Sequence, residues 1–252
     1  MSKVLIIWLL ATNVFAQTQT ALNYTISKLT ADDGLSQVSN YFRFEDSRGF
    51  MWITANDALN RFDGSSVKVY NLDCYFQNCP NLQQGYGFAE DNNSNVYVGS
   101  ERGLYIYTRN TDKFTLQEVF KNAPDEVTMP FAYENGKIWC YNRFYQLATF
   151  NVKTKKVKIE TSIDLEPINS IHIYQIINNI FYFRLPVLDK NGIVWLVGKN
   201  KVVTYNIKSK CINFPIITKK TDLQHEFFCS FFDNTNDFLN IGTNNGILRY
   251  DV

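Results

Sequence analysis

The sequence has little of what several classes of function require. Lys and Arg number 25 against 24 Asp and Glu, for a net charge of +1. No field of one sign is therefore available to draw in nucleic acid or an anionic membrane. Lysine-rich stretches at 153–158 and 219–220 read as solvated turns or strand faces. Histidine occurs only at His172 and His225, neither beside an obvious nucleophile or metal ligand. The five cysteines form no C-x-x-C pair and no His/Cys cluster at zinc spacing. No metal, cofactor or nucleophilic catalysis is therefore expected. Ala and Glu, which favour helices, are scarce.

Aromatic residues are plentiful. Fifteen Tyr, twenty Phe and four Trp, with many Val and Ile, favour a pleated sheet over a helix bundle. A hydrophobic share of 45% is enough to build a sizeable core. The N-terminus reads separately. Lys3 precedes the apolar run Val4–Leu10, and Val14-Phe15-Ala16 comes before Gln17. That layout is a secretory signal peptide over residues 1–16, with an uncleaved anchor as the alternative. The run is shorter than the ~20 residues a spanning helix needs, and no later stretch could cross a bilayer. A mature chain from residue 17 is expected in the periplasm or another extracytoplasmic space, without a membrane span. In an oxidising compartment Cys74 and Cys79, in the polar stretch 73–84, could pair or remain free thiols. Cys140, Cys211 and Cys229 lie in apolar runs and are expected in the core.

The chain repeats. One unit carries Asp46, Gly49 and Trp52, then Leu59-Asn60-Arg61-Phe62-Asp63-Gly64. A second carries Asp91 and Tyr97, then Gly103-Leu104-Tyr105. A worn third has Gly136 and Trp139, a fourth Asp189, Gly192 and Trp195, and a fifth Asp233 and Gly246. Aligned on Trp52, Tyr97, Trp139, Trp195 and Asn240, the spacings are 45, 42, 56 and 45 residues. Such a period fits four short strands with their turns, one blade of a β-propeller. The long interval predicts an insertion within 166–188.

In each unit the Asp accepts backbone hydrogen bonds and the Gly supplies a positive φ, which makes a tight turn. The aromatic residue then fills space between adjacent sheets. The expected fold is all-β, a propeller of four-stranded blades with repeats near 29–73, 81–120, 129–163, 168–217 and 225–252. Within the first, Asn40–Glu45 reads as the inner strand and Val67–Tyr70 as the outer one.

These residues resemble a known family. Asp33-Gly34-Leu35-Ser36, then 44–53, then Leu59-Asn60-Arg61-Phe62-Asp63-Gly64, look like the two-component regulator propeller repeat. Thr54-Ala55 and Ala58 stand where that family usually shows Gly-Thr and Gly. The resemblance implies the periplasmic sensor of a hybrid histidine kinase, ahead of a membrane helix and kinase. It also implies seven-bladed propellers, carbohydrate breakdown products as ligands, and a homodimer in the full-length sensor. Five repeats are then an arc of a larger ring, truncated before any kinase; closure as a small five-bladed ring is the alternative.

No enzyme activity is expected, because Asp-x-x-Gly differs from the sialidase Asp-box and no carboxylate pair stands out. The alternative function is a free-standing exported interaction module or a fragment of a carbohydrate-active enzyme. Tyr75, Phe76 and Tyr86, in irregular segments, are the candidate ligand contacts. An open arc leaves sheet faces exposed. The purified mature chain is therefore expected to self-associate in analytical ultracentrifugation; a monodisperse monomer with a cooperative melt would favour a closed ring.

Overall fold

A computed structural model of the chain describes residues 28–38, 40–55, 58–72, 87–100, 102–120, 127–142, 146–163, 175–177, 180–182, 186–197, 202–215, 227–233, 238–243 and 245–251. These residues fold as a β-propeller of antiparallel meanders. Blade 1 is β1 (Asn40–Glu45), β2 (Met51–Ala55), β3 (Leu59–Phe62) and β4 (Val67–Tyr70). Blade 2 is β5 (Phe88–Glu90), β6 (Val96–Ser100), β7 (Gly103–Thr108) and β8 (Lys113–Gln117). Blade 3 is β9 (Met129–Glu134), β10 (Lys137–Tyr141), β11 (Gln146–Asn151) and β12 (Val157–Ser162).

The hairpin β13 (Gln175–Ile177) and β14 (Ile180–Tyr182) forms a sheet of its own. It occupies the interval expected to carry an insertion. Blade 4 is β15 (Val187–Leu188), β16 (Ile193–Val197), β17 (Val202–Asn206) and β18 (Ile212–Asn213). The fifth sheet has three described strands, β19 (Phe227–Asp233), β20 (Phe238–Thr243) and β21 (Gly246–Asp251).

The second strand of each blade explains the architecture. Alternate side chains of a strand point to opposite faces, so a strand buried on both sides must be apolar throughout. All five residues of β6 are buried, and four of the five in β16. The ring residue points forward to the next blade. Trp52 packs with Tyr105, Tyr107 and Phe114 of blade 2, and Tyr97 with Ile138 and Phe150 of blade 3. Trp139 packs with Val194 and Tyr205 of blade 4, and Trp195 with Leu239 and Ile241 of the fifth sheet. The flanking positions point back, as Val96 and Val98 do toward blade 1. Burying each such side chain contributes about 1.5–3 kcal/mol.

Four apolar clusters therefore join five sheets in one direction. Phe231 and Ile247, on the forward face of the fifth sheet, are 50% and 69% exposed. Val69 lies on the face of β4 turned away from blade 2 and is 43% exposed. In the fifth sheet the aligned ring position, Asn240, pairs with Phe231 and Arg249 on that forward face.

Each Asp turn does more than reverse the chain. Asp46 Oδ1 accepts the amides of Arg48 and Phe50 at 3.0 and 3.1 Å, while Oδ2 accepts the Trp52 indole N–H at 2.9 Å. Gly49 has φ +80, which a side chain would make costly. Asp91 repeats the pattern with the Asn93 and Asn95 amides and the Tyr97 hydroxyl at 2.9 Å. Asp189 repeats it again, with Trp195 Nε1 at 3.0 Å and Gly192 in the left-handed region. The third blade replaces this turn with a two-residue Asn135-Gly136 hairpin, both residues at positive φ. Gly103 opens β7 where a Cβ would lie 2.3 Å from the Gln117 carbonyl oxygen, so only glycine fits.

Asp46→Ala strands two amides, an indole N–H and, as described below, a guanidinium. It is expected to lower the unfolding free energy by about 3–5 kcal/mol, read from urea denaturation. Asp63→Ala, in the exposed β3–β4 turn, is the control and is expected to change the midpoint far less.

Candidate functional site at the seams between blades

In a four-stranded meander the first and third turns lie at the same end of the sheet. The Asp turns and the β3–β4-type hairpins therefore gather at one end of the propeller, where polar side chains bridge neighbouring blades. At the seam of blades 1 and 2, Arg109 follows β7 in a short 3-10 turn, Arg109–Thr111. Its guanidinium reaches back to Asp46 Oδ2 at 2.5 Å, and Nε donates to the Ser94 carbonyl at 3.2 Å. Ser47 donates to the Glu90 carboxylate from both its amide and its hydroxyl at 2.7 Å. The Asp46 carboxylate is wholly buried. Burial alone would raise its pKa, but hydrogen bonds from Trp52, the Phe50 and Arg48 amides and Arg109 hold it below the usual range.

A second cluster lies beside it. Asp112 follows the 3-10 turn with φ +52. It accepts the Tyr70 and Tyr107 hydroxyls, both at 2.7 Å, and pairs with Lys68 of β4. Arg61 Nη1 donates to the Tyr107 hydroxyl at 2.6 Å. The Arg61 guanidinium lies 5.0 Å from the Phe50 ring centre and 5.6 Å from those of Trp52 and Tyr70. Arg109 lies 5.4 Å from the same Phe50 ring. Stacked, partly desolvated cations of this kind gain about 0.5–2 kcal/mol each. Partial burial would raise the Asp112 carboxyl; Lys68, Tyr70 and Tyr107 carry it down to about 2.

The seam of blades 3 and 4 repeats the geometry with the charges exchanged. Lys210, φ +63, occupies the hairpin position and donates to Glu160 of β12 at 2.8 Å. Lys158 and Thr149 complete the Glu160 shell at 2.6 and 3.0 Å. Burial would raise Glu160, yet the donors from Lys158, Lys210 and Thr149 bring it to about 2. The Glu160 carboxylate is 1% exposed. In both seams the hairpin residue stands five positions after a tyrosine, Tyr107 or Tyr205.

The equivalent residue of blade 3 is Lys155, φ +57, five positions after Phe150. It lines a cleft of about 600 Å³ between blades 2 and 3, across from Gln117 of β8.

The repeat residues of the first four blades fall in turns or on buried strand positions. Gly64 (φ +97) closes the β3–β4 hairpin, where Asp63 Oδ1 accepts the Ser65 and Ser66 amides. Gly246 opens β21, and Asp233 ends β19 opposite Phe238. Tyr75, Phe76, Tyr86, Cys74, Cys79, His172, His225 and the segment 1–16 lie outside the described residues. Cys140 is buried in the core, as expected. Cys211 is not: it is exposed, in the outermost hairpin of blade 4, where its carbonyl accepts the Asn206 amide at 3.0 Å. Among the described residues no three His, Cys, Asp or Glu side chains group to hold a metal ion. No described helix is long and apolar enough to cross a membrane.

Arg109, Asp112, Glu160 and Lys210 were not singled out from the sequence, and Arg61 was read only as part of the repeat. The five-residue step from ring to hairpin residue was the available clue.

No protein-family model and no curated protein matches the sequence. Solved structures do. The extracellular domain of BT3049, named as a hybrid two component system of B. thetaiotaomicron, is similar with a TM-score of 0.64 at 16% identity, over 91% of this chain and 31% of that one. The extracellular domain of BT4673, named likewise and from the same organism, gives 0.60 at 19% identity, over 86% of this chain and 27% of that one. Virginiamycin B lyase from Staphylococcus aureus gives 0.57 at 13% identity, over 87% of this chain and 72% of that one. The chain thus spans less than a third of either two-component extracellular domain, and at these identities the likeness is one of fold.

The seam carboxylates tie stability to pH. Asp112 and Glu160 have folded pKa values of about 2, below the ~4 expected unfolded. Between those values the unfolded chain binds more protons. The seam contribution is therefore full above pH ~4 and is lost as the pH falls toward 2. Thermal melts from pH 6 to 2 are expected to show this acid limb. The double variant Asp112→Asn/Glu160→Gln is expected to melt lower at pH 6 and to lose less on acidification.

Proposed function

We propose that this chain is an extracytoplasmic, ligand-sensing propeller segment of a two-component regulatory system, and that it recognises a carbohydrate-derived ligand. The observation that carries the reading is the similarity of 91% of the chain to an extracellular domain named for such a system. The Asp-Gly-Leu-Ser segment and the Asp-x-x-Gly-x-x-Trp repeat support it from the sequence. So does the N-terminal pattern of a cleaved export signal.

The segment is proposed to bind without catalysis. Three of its described carboxylates, Asp46, Asp112 and Glu160, are each engaged by at least one cation, and Asp91 and Asp189 are taken up by their own turns and rings. Spending a carboxylate in this way holds neighbouring blades in register and leaves it a poor base, since its pKa is driven far from neutrality. Tyr75, Phe76 and Tyr86 remain the proposed aromatic contacts, since rings give sugars an apolar face to stack on.

Thermal shift and calorimetry of the purified chain against a panel of oligosaccharides test the proposal, with chromatography of the same mixtures. A ligand at a hundred times its Kd stabilises by about 2.7 kcal/mol, or roughly 5–10 °C for a domain of this size. A shift of that order with one glycan class, and no cleavage product, is expected. Turnover of any panel member would replace the sensor reading with an enzymatic one. A flat response across the panel would remove the carbohydrate assignment.

A further inference from the structure

The three hairpin residues in the left-handed region, Asp112, Lys155 and Lys210, occupy one structural position in successive blades. That conformation is uncommon for any residue with a side chain. Asp112 and Lys210 each reach the outer strand of the preceding blade and meet an opposite charge, Lys68 and Glu160 respectively. Lys155 does not. Where blade 1 presents Lys68 and Tyr70 from β4, blade 2 presents Thr115 and Gln117 from β8, at the same steps of the β3–β4 and β7–β8 ladders. Phe150, beneath Lys155, also lacks the hydroxyl that Tyr107 supplies to its seam. Lys155 Nζ rests 5.5 Å from the centre of that ring.

Beside Lys155 lies the cleft of about 600 Å³. A second cation, Lys156, lines it, and none of its described lining residues is acidic. Val119, Phe120, Val157 and Ile159 give it apolar walls beside Gln117 and Gln146. Ile159 is 46% exposed at the mouth. Gln146 is already committed, donating to Ser162 and accepting from Asn142. Two ammonium groups beside a ring and branched aliphatics, with no carboxylate among the described lining residues, suit an anion attached to a carbon skeleton. A bare inorganic ion would leave the apolar walls unused.

We propose that this cleft binds a small organic carboxylate. The carboxylate takes at Lys155 the place that Glu160 takes at Lys210, and the skeleton lies against Phe120 and Ile159. The assignment concerns the charge of the ligand and does not depend on the sensor reading above.

Calorimetry of the purified chain with D-glucuronate, and with D-glucose as its neutral match, tests it. Glucuronate is expected to bind saturably and at least tenfold more tightly than glucose, and more weakly as salt is raised. Lys155→Gln, an exposed substitution, is expected to weaken glucuronate at least tenfold with an unchanged melting temperature. Gln117→Glu builds the missing partner on the opposite wall. It is expected to abolish binding while raising the melting temperature of the free protein. Equal binding of glucose and glucuronate would overturn the proposal. So would wild-type affinity in either variant, or no saturable glucuronate binding at all.

Discussion

A single buried carboxylate oxygen organises the first seam. Asp46 Oδ2 receives an indole N–H from its own blade and a guanidinium from the next, while Oδ1 fixes the turn that places both. A buried, ionised group is tolerable only when its lone pairs are filled. Here filling them requires the turn, the ring and the neighbouring blade to be in place together. Local turn formation and inter-blade packing are thereby coupled through one residue. Asp91 and Asp189 couple turn to ring in the same way, through Tyr97 and Trp195. The ring so fixed is the one that enters the next apolar cluster.

The parts legible in the sequence are those set by short separations. Asp, Gly and ring lie within six positions of one another, so the turn and the buried strand recur as a visible period. The inner strand Asn40–Glu45 and the outer strand Val67–Tyr70 were readable for the same reason. The seams were not legible. Arg109 meets Asp46 across 63 positions and Lys210 meets Glu160 across 50. The charges at equivalent positions are opposite, so no shared residue type marks the site. The exposure of Cys211 was missed for a related reason. An apolar neighbourhood in sequence does not show that the residue closes an outermost hairpin.

Exchanging the charges between seams has an energetic consequence. Lys68 faces Asp112 at one seam, while Lys210 faces Glu160 at another. Were the outer hairpin of blade 4 to dock on blade 1, Lys210 would meet Lys68. Like charges placed together disfavour that wrong pairing, a form of specificity by repulsion. Blades built to one pattern share the same ring-into-cluster packing, which distinguishes them poorly. Polarity at the rim is what gives their order a preference.

The middle seam departs from this scheme in a way that packing alone does not require. The core between blades 2 and 3 is as continuous as its neighbours, with Tyr97, Ile138 and Phe150 all buried. Stability at that junction therefore rests on apolar contact, and the rim above it carries no charge pair among the described residues. A lysine held in the left-handed region costs backbone strain, and among the described residues Lys155 has only the Phe150 ring, and no carboxylate, to set against it. Glycine in its place would relieve that strain, as Gly64 does in the corresponding hairpin of blade 1. That a cation is kept there, beside a second lysine and an open apolar wall, is what separates this rim position from the two that serve only to hold blades together.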